Sequence, residues 1–359
     1  MRGSVRGKLL ALFAALLASL VVLEVALRVR QYQKYGTTAR SYYRFAEDPA
    51  SGLTIPEPDS VVGAIRVNAL GFRGGAVARP KPPEVIRLGF LGGSTTFCAE
   101  ASSEAATWPE LVLAGLRERY PDQRFDGVNA AVGGYSTRES QINLEQRLAP
   151  LAPDVLIVYH GTNDLTQDSR EAALEAGLEI AEAREESALG EVWLTWFLVE
   201  KNLRAMRARR DEERDERLTL DPASLTTSFE ERLRTLLKTG QEAGCVTFVG
   251  TFCHRARPEQ TPDEQREACS SSLYYMPWFD TGQILRGLQA YNETVRAVAA
   301  ELGISVFDME GTIPADGRHF NDSVHLLDPG LDLFAKRVLE TIVLDSGFQA
   351  LLEQRAQLR

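Results

Sequence analysis

The sequence predicts an α/β domain, a mostly parallel sheet covered on both faces by helices. Short apolar runs recur from Val85 onward, and segments with helical start and stop signals separate them. That alternation calls for right-handed crossovers between parallel strands. With 359 residues, 44% of them apolar, the chain has enough material for a sizeable core.

Val85 to Leu91, ending at Gly92-Gly93, reads as the first strand. Thr107-Trp108-Pro109-Glu110 has the form of a capping box with proline in the first turn, opening a helix to about Tyr120. Phe125 to Val132 and Val155 to Tyr159 are the next strands. Val246 to Thr251 follows a helix whose exit is Gly244, and Ile304 to Phe307 follows one ended by Gly303. Leu331 to Leu344 reads as the last helix, leaving residues 346–359 as a tail. Between about residues 165 and 222 an insertion interrupts the alternation. Its cluster Val192, Trp193, Leu194, Trp196, Phe197, Leu198 and Val199 is too short to span a bilayer. It predicts a helix packed over the domain; a lid, or a face touching lipid or protein, is the alternative. There is no internal repeat.

The N-terminus differs. Leu9 to Leu23 is apolar apart from Ser19, and Arg2, Arg6 and Lys8 precede it. At about 1.5 Å per residue, residues 9–27 match a hydrocarbon core of roughly 30 Å. They are read as a transmembrane anchor after a tail of residues 1–8, with a cleavable signal peptide as the competing reading. No small-x-small cleavage site lies near the far end. Arg28, Arg30, Lys34, Arg40 and Arg44 follow, so the positive-inside count does not favour an exported domain. Residues 28–83 read as a stalk that then wraps the domain. A net charge of −10 argues against a nucleic-acid partner, and the run Arg204 to Arg217, interleaved with acids, reads as a solvated helix face. Cys98, Cys245, Cys253 and Cys269 permit two disulfides without requiring them.

Chemistry-bearing residues fall in four short segments. Gly92-Gly93-Ser94-Thr95-Thr96 allows a sharp strand-to-helix turn that exposes a hydroxyl, although such a turn also cradles anions. The lysine of a nucleotide-binding loop is missing. Val132-Gly133-Gly134-Tyr135-Ser136 follows the second strand and permits close approach of a substrate to a backbone N–H. Gly161-Thr162-Asn163-Asp164 follows the third; Asn163 supplies a neutral double donor suited to an oxyanion, or else an Asx-type turn. Asp322-Ser323-Val324-His325 spaces a carboxylate three residues before an imidazole. Among the four histidines, His319 with Asp316 has the same spacing, so spacing leaves two candidate pairs. Asp322 and His325 are preferred because they directly precede the last helix. His254 beside Cys253, with Cys245 and Cys269, fits no usual zinc spacing, so neither metal nor cofactor is expected.

In this order the four segments resemble the blocks of the SGNH (GDSL-like) hydrolase superfamily, over roughly residues 85 to 345. The frequent Gly-Asp-Ser is here Gly92-Gly93-Ser94. Gly134, Gly161-Thr162-Asn163-Asp164 and Asp322-x-x-His325 correspond to the other three. Gly330 and the following helix also fit, favouring His325 over His319. The resemblance implies a flavodoxin-like α/β/α sandwich with about five parallel strands in a hydrolase domain of residues 84–345. It implies a serine esterase with Ser94 as nucleophile, His325 as base and Asp322 orienting it. Ser94 and Gly134 N–H groups and the Asn163 side chain would form the oxyanion hole, with Gly93, Gly161 and Asp164 shaping the loops. The substrate would be a small-molecule or glycan ester, or a lipid-like acyl ester. An O-acyltransferase, or a non-catalytic tethered binding protein, is the alternative. Asn68-Ala69-Leu70-Gly71-Phe72-Arg73-Gly74 and Leu23-Glu24-Val25-Ala26-Leu27-Arg28 look similar to segments of membrane-anchored bacterial members. That similarity favours a catalytic domain on the periplasmic or cell-surface side.

Overall fold

The computed structural model describes residues 5–35, 44–178, 193–211, 218 and 220–357. Its five parallel strands are β1 (Val85–Gly92), β2 (Arg124–Asn129), β3 (Val155–Tyr159), β4 (Val246–Gly250) and β5 (Ser305–Phe307), in the order β2-β1-β3-β4-β5. Every residue of β1 and β3 is buried. These continuous apolar runs therefore form the middle of a sheet covered on both faces. This is the expected flavodoxin-like three-layer arrangement.

The N-terminal helix α1 spans Val5–Tyr35. Helix α2 (Trp108–Arg119) begins at the Thr107 cap, and its Trp108 meets Phe90 of β1 edge-on at 5.3 Å. Then come α3 (Thr137–Asn143), α4 (Thr162–Glu175), α5 (Leu194–Asp211) and α6 (Thr226–Glu242). Helix α7 (Thr281–Leu302) carries a complete Asp280/Gln283 capping box. It stacks Tyr291 on Phe229 of α6 at 4.4 Å. Helix α8 (Asp328–Leu344) packs on α2, with Phe334 5.0 Å from Trp108.

Three expectations need correction. Residues 346–359 are not a tail, because α9 covers Ser346–Ala356. Asp345 accepts from Phe348 N at 2.9 Å, and Phe348 is buried against Tyr120 and Phe125. The apolar spacing Phe348, Leu351, Leu352 is that of a helix face laid on the core. Strand β2 stops at Asn129 rather than Val132. There the Asn129 side chain turns the chain, accepting from Ala131 N at 3.2 Å and donating to the Thr96 carbonyl at 3.0 Å. The stalk contains two antiparallel hairpins, Phe45–Asp48 with Leu53–Pro56 and Val61–Val62 with Ile65–Arg66. Leu53 and Ile55 of the first are buried with Val132 and Tyr135 of the second chemistry-bearing segment.

Val192 and the charged stretch 212–217 lie outside the described residues, as do the side chains of 204–211. The rest of the apolar cluster starts α5, which packs beside α1 and the short helix Ser270–Tyr275.

Candidate active site

All four segments meet at the carboxyl edge of the sheet. Ser94 opens a single helical turn, Ser94–Phe97, after β1; Asn163 lies in the first turn of α4, after β3. They flank the point where the strand order reverses, the usual ligand crevice of such sheets. Gly134 follows β2, and Asp322 and His325 follow β5.

His325 Nε2 lies 2.7 Å from Ser94 Oγ, and its Nδ1 lies 2.8 Å from Asp322 Oδ2. The other oxygen, Oδ1, accepts from the N–H groups of Val324 and His325, both at 2.9 Å. Burial alone would push the Asp322 carboxyl up. The bonds and charge of His325, with the two backbone donors, outweigh it and hold the group down at about 2. The loop is clasped from the side, where Ser323 Oγ accepts from Ser271 N at 3.1 Å and Ser272 N at 3.3 Å. Asp316 and His319 also pair, Nδ1 to Oδ1 at 2.7 Å, on the exposed part of the same loop. Of the two imidazoles, His325 is the one that reaches Ser94.

The glycines do distinct work. A Cβ at Gly93 would stand 2.6 Å from Asn163 Nδ2 and 3.1 Å from the Tyr135 carbonyl. The glycine thus makes room for the Asn163 amide, which donates to that carbonyl at 2.8 Å. One amide hydrogen is held there, and the other remains for the cleft. Gly134 has φ +88 with open space around it, so its need for glycine is conformational. Gly161 precedes α4, where a Cβ would press on Phe252 at 2.9 Å. Buried Asp164 accepts from Thr137 N at 3.0 Å and Thr137 Oγ1 at 2.5 Å, tying the Gly134 loop to α4. Burial raises its carboxyl to about 6 despite these bonds.

Residues 90–333 match the model of the GDSL-like lipase/acylhydrolase family. The chain belongs to that family. It is a serine hydrolase acting on ester bonds. No curated protein matches the sequence. Among solved structures, Axe2, an acetylxylan esterase from Geobacillus stearothermophilus, is 16% identical with a TM-score of 0.46, covering 72% of this chain and 95% of its own. LAE5, an α/β hydrolase enzyme from the metagenome of Lake Arreo, Spain, is 16% identical with a TM-score of 0.44, covering 71% of this chain and 94% of its own. A putative GDSL-like lipase from Parabacteroides merdae is 15% identical with a TM-score of 0.44, covering 72% and 96%.

In this acylhydrolase Ser94, Gly134, Asn163 and His325 line one open cavity of about 410 Å³. The far wall is Ser271, Ser272, Tyr275 and Met276, from the short helix beside α5. Among the described residues none from α5 lines the cavity, and α5 packs against the short helix that forms this wall.

Two further residues at the site carry no sequence signal for their place. Glu100 lines the cavity, and burial raises its carboxyl while the nearby His325 opposes the rise. It sits six residues past Ser94, just after the chain turns back at Cys98, which has φ 57. Arg73, named above only as part of a resembling segment, is buried and ion-paired to Glu104 at 3.2 Å. Its Nη1 donates to the Phe97 carbonyl and, at 2.7 Å, to the Cys98 carbonyl, gripping the end of the Ser94 turn.

All four cysteines are buried, and none is in a disulfide. Cys98 packs with its Sγ toward the carbonyls of Thr95 and Thr96, and burial pushes its thiol up to about 12. His254 holds Ser272 Oγ through Nε2 at 2.9 Å and accepts from Ala256 N through Nδ1 at 3.0 Å. Among the described residues no three His, Cys, Asp or Glu side chains converge on a metal site.

Proposed function

We propose that Ser94 is the nucleophile of an esterase that works through an acyl-enzyme. His325 acts as its general base and Asp322 holds the imidazole. The observation that carries this reading is the unbroken chain of Asp322, His325 and Ser94 at hydrogen-bond distances. His325 takes the hydroxyl proton as Ser94 Oγ bonds to the ester carbonyl carbon. The proton then passes to the departing alcohol as the carbonyl–alkoxy bond breaks. Water repeats the cycle and releases the acid. Oxyanion charge is met by the Ser94 N–H, which has no partner within its helical turn, by the Gly134 N–H and by the second Asn163 amide hydrogen. Asp164 shapes the loop and does not react.

The substrate is an acyl ester of a glycan or of an amphiphile. Residues 84–345 are the hydrolase domain, and residues 9–27 anchor it to the outer side of a membrane. A fluorophosphonate label and p-nitrophenyl acetate turnover test the assignment. Both are expected to vanish in Ser94→Ala; normal labelling and turnover by that variant would sink it. Transfer of the acyl group to an added glycan, in place of release into water, would instead make the enzyme an acyltransferase.

A further inference from the structure

Helix α1 is long and apolar enough to cross a membrane over Gly7–Gln33, a character shared by signal sequences. What distinguishes it here is Glu24, near the end of the apolar run. The Glu24 carboxylate accepts from Leu194 N at 3.0 Å, Thr195 N at 2.8 Å and Thr195 Oγ1 at 2.7 Å. It therefore caps the start of α5, while Arg28 pairs with it at 2.6 Å. A carboxylate inside an apolar helix is costly unless partnered. Besides Arg28, its partners come from the start of α5, some 170 residues away.

That contact sets a depth. Glu24 lies four residues before Arg28, about 6 Å along the helix, which in a membrane-crossing α1 puts the start of α5 at the boundary between hydrocarbon and head groups. The outward face of α5 has the composition for that location. Trp196 is 44% exposed, Val199 41% and Leu203 44%. Their spacing of three and four residues makes one stripe along a helix, shared by Glu200, whose Oε1 accepts from the Trp196 indole N–H at 2.9 Å. An exposed apolar stripe is unusual on a water-facing surface, and tryptophan is enriched at membrane interfaces. Behind α5 lies Ser270–Tyr275, which contributes the cavity wall and whose Tyr275 is 62% exposed at the rim.

We infer that the Trp196–Val199–Leu203 face of α5 rests on the lipid bilayer and holds the cavity mouth at its surface, so that the substrate is an ester carried by a membrane-resident amphiphile. The bilayer is favoured over a protein partner because the stripe lies on the helix whose start is held by Glu24 of α1, the helix long and apolar enough to cross a membrane. This inference rests on the esterase reading for its substrate class, but not for its geometry.

The test uses the full-length protein in phosphatidylcholine vesicles, with two readouts. First, brominated phosphatidylcholine is expected to quench tryptophan fluorescence, and Trp196→Phe to remove a large part of that quenching. Quenching unchanged in Trp196→Phe would overturn the inference. Second, Trp196→Ser/Val199→Ser/Leu203→Ser is expected to keep p-nitrophenyl acetate turnover in solution within about twofold. Its turnover of p-nitrophenyl palmitate dissolved in the vesicles should fall about tenfold or more, as interfacial apolar contact is lost. Equal rates on the vesicle-borne ester would overturn the inference, as would equal losses on both esters. A wild-type protein that is quenched through Trp196 yet cleaves neither ester would leave the bilayer contact standing and defeat the esterase reading instead.

Discussion

Two Asp-x-x-His pairs lie six residues apart on one loop, and locally they are near copies. Asp316 and His319 meet at 2.7 Å, Asp322 and His325 at 2.8 Å. In both, the carboxylate also accepts backbone N–H groups of its own turn. The difference lies at the other imidazole nitrogen. His325 Nε2 faces Ser94 Oγ, whereas the Asp316 pair stands on the exposed part of the loop. Three-residue spacing makes a pair wherever the chain turns tightly. Only the fold, by carrying the loop that follows β5 back across the sheet edge to the end of β1, gives one of the pairs a third member.

The largest effect should separate the two imidazoles. His325→Ala is expected to lower kcat on p-nitrophenyl acetate by about 10⁴ or more, with His319→Ala staying within about twofold. Comparable losses in both variants would break the distinction. Next come the carboxylates. Asp322→Asn leaves the turn nearly isosteric but removes the charge that stabilises the imidazolium, so kcat should drop by about 10³ to 10⁴. Asp316→Asn should leave kcat and Tm close to wild type, because an exposed ion pair adds little. A drop in activity for Asp316→Asn would show that the exposed pair is coupled to the site.

A smaller loss is expected from a residue that touches neither pair. Gly93→Ala places a methyl where Asn163 Nδ2 lies 2.6 Å away. The Asn163 amide must move off the position proposed for it in the oxyanion hole, costing about 10² in kcat, the scale of one lost oxyanion donor. KM should change little. A wild-type kcat in Gly93→Ala would remove Asn163 from the oxyanion hole.

How far the sequence carries follows the same division between local and distant. The alternation of buried strands and capped helices was legible because each element announces itself within a dozen residues: the β1 and β3 runs, the Thr107 cap and the Gly303 stop all lie where the sequence pattern puts them. Ser94, Gly134, Asn163 and His325 were legible as motif positions, and they line one cavity. The choice between His319 and His325 was not settled by spacing, since both pairs obey it. Nor was the grip of Arg73 on the Ser94 turn legible, because no local pattern ties an arginine in a turn-rich lead-in to carbonyls 24 and 25 residues later. Helix α9 escaped because a short helix with three core contacts resembles a polar tail until Phe348 has something to pack on.

Glu100 gives the finest test of the comparison, since it stands near one pair only. With Asp322 held at about 2, that carboxylate stays ionised throughout the working range. A fall of kcat/KM of about tenfold per unit below about pH 6 would therefore report the imidazole. His319→Gln should keep this acid limb unchanged. Burial is the main influence on Glu100 and raises its carboxyl, and His325 opposes that rise. By reciprocity, ionised Glu100 favours the protonated imidazole and so holds the limb at higher pH. Glu100→Gln removes that charge, and the limb should move to lower pH. Turnover on the plateau should change little, since Glu100 lies outside the Asp322–His325–Ser94 chain. A limb that stays in place, or moves to higher pH, would show that Glu100 does not act on the imidazole through its charge.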